Sequence, residues 1–211
     1  RTLEAAVIAH PDQFDFKLQW AQMLLATEQE AAALDVLLQL QRLDPRNGLV
    51  QLELAELWSS RNELEKAQQS LWIAFDSEDV LVEEKHDILV QYLQLASYNP
   101  ALLGPLVNLM DRAVELHEED GNILMLASDL AQMLGQPALA KEHMEKAVVA
   151  IPHIPSAWTN LIALDAELDE YEAMIQHAQE AMERFPLEAE FYLLAGIGSM
   201  VKGELEEAIG Y

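Results

Sequence analysis

Apolar and polar positions follow one another along this chain at helical spacing, and they do so in pairs. Leu52, Leu54, Ala55, Leu57 and Trp58 make one apolar face, Asn62 interrupts it, and Leu64, Ala67, Leu71 and Ala74 begin a second. Asparagine, like glycine, tolerates the left-handed backbone that closes a helix, so Asn62 marks a turn between two helices. Gly135 and Gly203 hold the equivalent place further along. A proline after the second helix stops it, because proline lacks the N–H that the next bond needs. The pattern predicts helix–turn–helix units.

The units recur. Pro11 to Pro45 and Pro152 to Pro186 each span one period of 34, and the interval from Pro45 to Pro152 divides into two periods of 34 and one of 39. Asp79 and Glu118 take the proline position in the units between. Five places before that column stand Ala6, Ala147 and Ala181; twelve before it stand Ala33, Ala67 and Ala140, with Leu106 and Met174 in the two other units. Small residues at such places let crossing helices approach closely. The third unit is longer by five residues. The surplus is expected between Ser97 and Gly104, where Tyr98-Asn99-Pro100 ends one helix and Gly104-Pro105 starts the next. It reads either as an insertion tolerated at a surface turn or as a protrusion that shapes a binding surface.

These residues resemble the tetratricopeptide repeat, whose pattern is Trp-x2-Leu-Gly-x2-Tyr, then Ala-x3-Phe, a further Ala, and Pro. Trp158-x2-Leu161 matches the opening, and Tyr192 with Gly196 matches it in the last unit. Ala21 and Ala55 replace the small glycine in the first two units. Ala67, Leu71 and Ala74 match the later columns, as do Ala140, Met144 and Ala147. Leu89 and Ile162 depart from the pattern, being bulky where a small residue is usual. The resemblance implies an all-α fold, a right-handed α-solenoid (superhelix) of helix–turn–helix tetratricopeptide-like repeats. It also implies a protein–protein interaction scaffold, without catalytic residues and without a cofactor.

On this phasing, residues 1–11 are the end of a preceding repeat, with Leu3, Ala6, Val7 and Ala9 as its apolar face. Residues 12–45, 46–79, 80–118, 119–152 and 153–186 form complete repeats, and 187–211 an incomplete one, all within a single solenoid over 1–211. Neither end shows the polar capping helix that finishes a repeat array, so a fragment of a longer array is expected. Head-to-tail self-association through the cut repeats would follow.

Charge narrows the partners. The 211 residues hold 37 Asp+Glu against 12 Lys+Arg, a net charge of −25. Such a chain lacks the cations that bind phosphates, so nucleic acid and anionic lipid are excluded as partners. At 51% hydrophobic residues it is too apolar for a disordered acidic tail. The absence of cysteine removes disulfides, thiolate zinc sites and thiol nucleophiles. The uncharged run Phe191–Val201 is far shorter than the roughly 20 residues that span a bilayer, so no membrane insertion is expected.

The family resemblance places ligand-facing columns on the first helix of each pair. As a partner-binding groove it singles out Gln19, Gln22, Glu53, Glu56, His86, Asp87, Met125, Asp129 and Asn160. No Lys or Arg falls in these columns, so the cationic clamp that grips a terminal carboxylate is ruled out. The column that would carry an asparagine ladder reads Gln19, Glu53, Asp87, Leu126, Asn160, Leu194. One asparagine makes no ladder. What remains is a groove with acidic stations from Asp15 to Asp129, complementary to a basic or amphipathic helix or peptide. The same acids also read as a solvated face of a very acidic protein. Leu193, Leu194, Ile197, Met200 and Val201 form an apolar end, either a ligand surface or a seam for another repeat.

Little points to catalysis. The nearest approach to a metal cluster, His117-Glu-Glu-Asp120, falls between repeats and reads as a solvated turn. His86 and Asp87 are expected to point apart, as neighbours on a helix do. No phosphate loop, nucleophile elbow or paired-histidine zinc motif occurs. The alternative to a free-standing scaffold is the recognition arm of a larger enzyme or of an envelope or secretion assembly. The long third unit is similar to units of exported bacterial repeat proteins, a resemblance that points to the periplasm or cell envelope, although the residues themselves set no compartment.

Overall fold

The computed structural model describes residues 13–211. The expected tail of a preceding repeat at 1–11 lies outside the described residues. Among them all regular structure is helical, in twelve α-helices and one 3₁₀ turn. The chain is an all-α solenoid of helix pairs. It divides into two compact units, one ending at Lys85 and the other beginning at His86.

The first unit holds α1 (Phe14–Ala26), α2 (Glu30–Leu43), α3 (Gly48–Ser60) and α4 (Leu64–Asp76). Its core packs Leu18, Ala21, Leu37, Leu40, Val50, Leu54 and Trp58 around Ala67. The division between the units falls inside α5 (Val82–Tyr98). The second unit continues with α6 (Leu103–Leu116), α7 (Gly121–Met133), α8 (Pro137–Ala150), α9 (Pro155–Glu167), α10 (Tyr171–Arg184), α11 (Ala189–Lys202) and α12 (Leu205–Gly210). Met144, Trp158, Leu161, Met174 and Phe191 fill its core, with Ala140, Ala147, Ala178 and Ala181 at the close crossings. Every member of the column Ala33, Ala67, Leu106, Ala140, Met174 is buried, and so are the bulky Leu89 and Ile162.

Five turns inside pairs share one geometry. Glu28, Asn62, Gly135, Asp169 and Gly203 have φ of 60°, 59°, 70°, 57° and 85°. The residue after each donates its N–H to the carbonyl five back: Gln29 to Leu24, Glu63 to Trp58 and Glu170 to Asp165 at 2.8 Å, Gln136 to Ala131 and Glu204 to Ser199 at 2.9 Å. The left-handed residue itself donates to the carbonyl three back, as Asn62 does to Ser59 at 2.9 Å. Together the two bonds satisfy carbonyls that a helix end otherwise leaves bare.

The third pair turns differently. Its first helix, α5, has 17 residues where α3 has 13, so four of the surplus residues prolong it. Asn99 Oδ1 then accepts the N–H of Ala101 at 3.3 Å, and the 3₁₀ turn Pro100–Leu102 leads directly into α6.

A second bond recurs at the end of the second helices, at or near the proline column. The Pro45 carbonyl accepts from Gln51 Nε2 at 2.7 Å, the Pro152 carbonyl from Trp158 Nε1 at 3.1 Å, and the Pro186 carbonyl from the Tyr192 hydroxyl at 3.2 Å. In the third pair Lys85 Nζ reaches the Ser77 carbonyl at 3.2 Å. Each of these side chains ties the first helix of a pair to the end of the helix before it. That is how Gln51 and Lys85 can be buried at low cost: their polar heads have a fixed partner.

Candidate functional site

In the first unit one contact joins two of the residues singled out above, from the first helices of neighbouring pairs. Gln22 on α1 donates from Nε2 to Oε1 of Glu53 on α3 at 2.8 Å. Gln19 and Glu56 are exposed and Glu53 is half-buried. Burial raises the Glu53 pKa above the ordinary carboxylate value; the Gln22 hydrogen bond opposes that shift and the nearby Glu56 charge adds to it. The Glu53 carboxylate is thus partly withdrawn from water and held by one amide.

In the second unit, Thr159 Oγ1 on α9 donates to Glu190 Oε2 on α11 at 3.4 Å, so first helices of neighbouring pairs face each other here too. Met125 and Asp129 are four residues apart on α7, hence on one face, and both are half-buried. Burial raises the Asp129 pKa. Asn160 on α9 is half-buried as well. The expectation that His86 and Asp87 point apart is not met: His86 Nδ1 lies 3.3 Å from Asp87 Oδ1. Asp87 is solvent-exposed, and nothing stops its short side chain from swinging over the neighbouring ring. The apolar end is open, with Leu193, Ile197, Met200 and Val201 exposed on α11 beside Leu205 and Ile209 on α12.

Asp120, in the His117–Asp120 segment, caps α7 by accepting the N–H groups of Asn122 and Ile123 at 2.9 and 3.0 Å. Among the described residues no group of three or more His, Asp or Glu side chains is placed to hold a metal ion.

One charged cluster escaped the sequence reading. Asp165 on α9 is fully buried. Its Oδ1 pairs with Lys141 Nζ of α8 at 2.6 Å, and its Oδ2 lies 2.7 Å from His177 Nδ1 of α10. Lys141 also binds Glu170 and stands 3.7 Å from Glu145. Burial alone would lower the Lys141 pKa; the hydrogen bonds and charges of Asp165 and Glu170 outweigh it and raise the pKa above the ordinary lysine value. The cluster ties three helices together inside the unit.

No protein-family model matches the chain, and no curated protein is similar to it. Solved structures are. MamA superposes with a TM-score of 0.57 at 13% identity, over 79% of this chain and 88% of that one. The MamA RS-1 ArsTM double mutant gives 0.52 at 14% identity, over 83% and 96%. TTC0263, a thermophilic TPR protein in Thermus thermophilus, gives 0.49 at 12% identity, over 89% and 100%. At these identities the likeness is one of fold. Taken with the repeating helix pairs, the fold is that of a tetratricopeptide-repeat solenoid.

Proposed function

We propose that this chain is a protein-interaction scaffold that takes a basic or amphipathic peptide or helix on its first-helix columns. The reading rests on Glu53: a half-buried carboxylate positioned by Gln22, beside Glu56, in columns without a lysine or arginine. A cation arriving there restores the solvation that burial took away, so the incomplete hydration of the acid becomes a source of affinity. Asp129 offers the same chemistry in the second unit.

Replacing Glu53 and Glu56 together with lysine weakens a basic partner captured in solution by about a hundredfold while leaving helicity unchanged. An unaltered dissociation constant by calorimetry overturns the reading. The pH dependence has a definite sign. Because Glu53 and Asp129 take up protons above the ordinary carboxylate range, acidification discharges them early and weakens the cationic partner. The unliganded fold gains stability in that same window, since the folded chain holds those protons more tightly than the unfolded chain. Affinity and melting temperature therefore move in opposite directions as pH falls from neutrality.

A further inference from the structure

A cavity of about 470 Å³ opens among α6, α7 and α8 of the second unit. Its walls are mostly apolar: Val107, Met110 and Val114 from α6, Leu130 and Ala131 from α7, Leu139 from α8. Asp111 and His143 are among the few polar groups that line it. That volume, and an apolar lining with a few polar groups, are those of clefts that hold a ligand. Leu134 and Leu139, both in the wall, stay exposed although they are large and apolar. None of the lining residues belongs to the groove columns proposed above.

The repeat itself shows what such a space can hold. Val107, Ala131 and His143 occupy the places that Leu34, Trp58 and Ser70 hold in the first unit, and Lys141, Asp165 and His177 one repeat on. In the first unit the Trp58 indole fills the place, packed in a core that Leu34 joins, with Lys66 over the ring. Leu139 stands at the position of Lys66. One repeat on, Asp165 fills the place, and neither it nor Lys141 borders the cavity among α8, α9 and α10. At Ala131 the chain supplies only a methyl group. His177 Nδ1 has the Asp165 carboxylate, whereas His143 Nδ1 is buried without a hydrogen-bond partner. Burial, and after it the Lys146 charge, lower the His143 pKa, so its ring is neutral at pH 7 and adds no charge to the wall.

We propose that this cavity binds an uncharged aromatic ring, an indole by preference, in the place that Trp58 fills from within the chain in the first unit. The ring packs over the Ala131 methyl, between Val107 of α6 and Leu139 of α8. Binding it covers the apolar surface that Leu134 and Leu139 now expose. An indole has one N–H donor, and Asp111, exposed in the wall, is the acceptor for it. Asp111 and Glu115 together turn away an aromatic acid, because its carboxylate would meet like charge. The same ring can arrive free or as the tryptophan of a polypeptide.

Indole is titrated into the full chain while the methyl resonances of Val107, Ala131 and Leu139 are followed by NMR. They shift together with one dissociation constant. N-methylindole, which has no donor, binds about fivefold more weakly, and indole-3-acetate does not bind. Ala131→Trp supplies the ring from within: it abolishes indole binding and raises the melting temperature by a few degrees. Tighter binding of acetyl-Ala-Ala-Trp-Ala-Ala-amide than of indole assigns the ring to a polypeptide; equal or weaker binding assigns it to a free small molecule. Methyl resonances that stay still in saturated indole overturn the proposal. So do equal binding of N-methylindole or indole-3-acetate, and an Ala131→Trp variant that melts lower or still binds indole.

Discussion

Leu34, Trp58 and Ser70 in the first unit and Lys141, Asp165 and His177 in the second occupy equivalent places three repeats apart. The backbone treats them alike: the carbonyls of Trp58 and Asp165 each accept a turn N–H at 2.8 Å. The side chains do opposite things. In the first unit the Trp58 ring packs in the apolar core, with Lys66 Nζ over it 4.3 Å from the ring centre. In the second a fully buried carboxylate binds a lysine and a histidine from the helices on either side. One helix-pair template accepts either filling, because the turn bonds and alanine crossings set the geometry and leave this position free. The fillings differ in what happens when one member is lost. An apolar neighbour leaves a gap; an ionic one leaves a stranded charge.

That difference can be broken directly. Asp165→Ala costs about 3–5 kcal/mol of unfolding free energy in urea, since Lys141 and His177 lose their shared partner. Replacing Lys141, Asp165 and His177 together with leucine recovers most of that loss; equal destabilisation of the single and triple variants would show that packing, not charge, governs the position. The alkaline limb gives a second reading. The raised Lys141 pKa means its contribution is complete at neutral pH and disappears only above the ordinary lysine range, so Asp165→Ala flattens stability there. Ala67→Phe, at the closely packed crossing beside Trp58, costs about 1–3 kcal/mol. An unchanged melting curve would place Ala67 off the crossing. The smallest effect belongs to the turns: Glu28→Gly gains about 1 kcal/mol, because glycine adopts the left-handed backbone freely, and Gly135→Ala loses a similar amount. Matching shifts in chemical denaturation would confirm that the turn is equivalent in both units.

The parts of the fold legible in the sequence are those that demand a residue type. Small side chains recur at Ala33, Ala67 and Ala140, although Leu106 and Met174 fill the same column, and asparagine or glycine announces the turns at Asn62, Gly135 and Gly203. Glu28 and Asp169 adopt the same conformation without such a signal, because neighbouring helices hold the chain there regardless of the side chain. The repeat phasing set Gln22 and Glu53 on the first helices of neighbouring pairs, but their contact joins two different columns and no spacing announced it. The Lys141–Asp165–His177 cluster did not. Its members come from three successive helices, and no local spacing predicts that they converge. A usable clue was present in His143 and His177, one period apart. His86 and Asp87 teach the reverse lesson: helical geometry separates their Cβ atoms but leaves an exposed carboxylate free to turn back.

The prolonged α5 has a practical outcome. Four additional residues at about 1.5 Å of rise each carry its tip about 6 Å beyond the point where α3 would stop, and Tyr98 at that tip is 90% exposed. A cysteine introduced there would be the sole thiol in the chain, open to a dye or spin probe and remote from every packed crossing. The molecule thus comes with its own handle for single-site labelling.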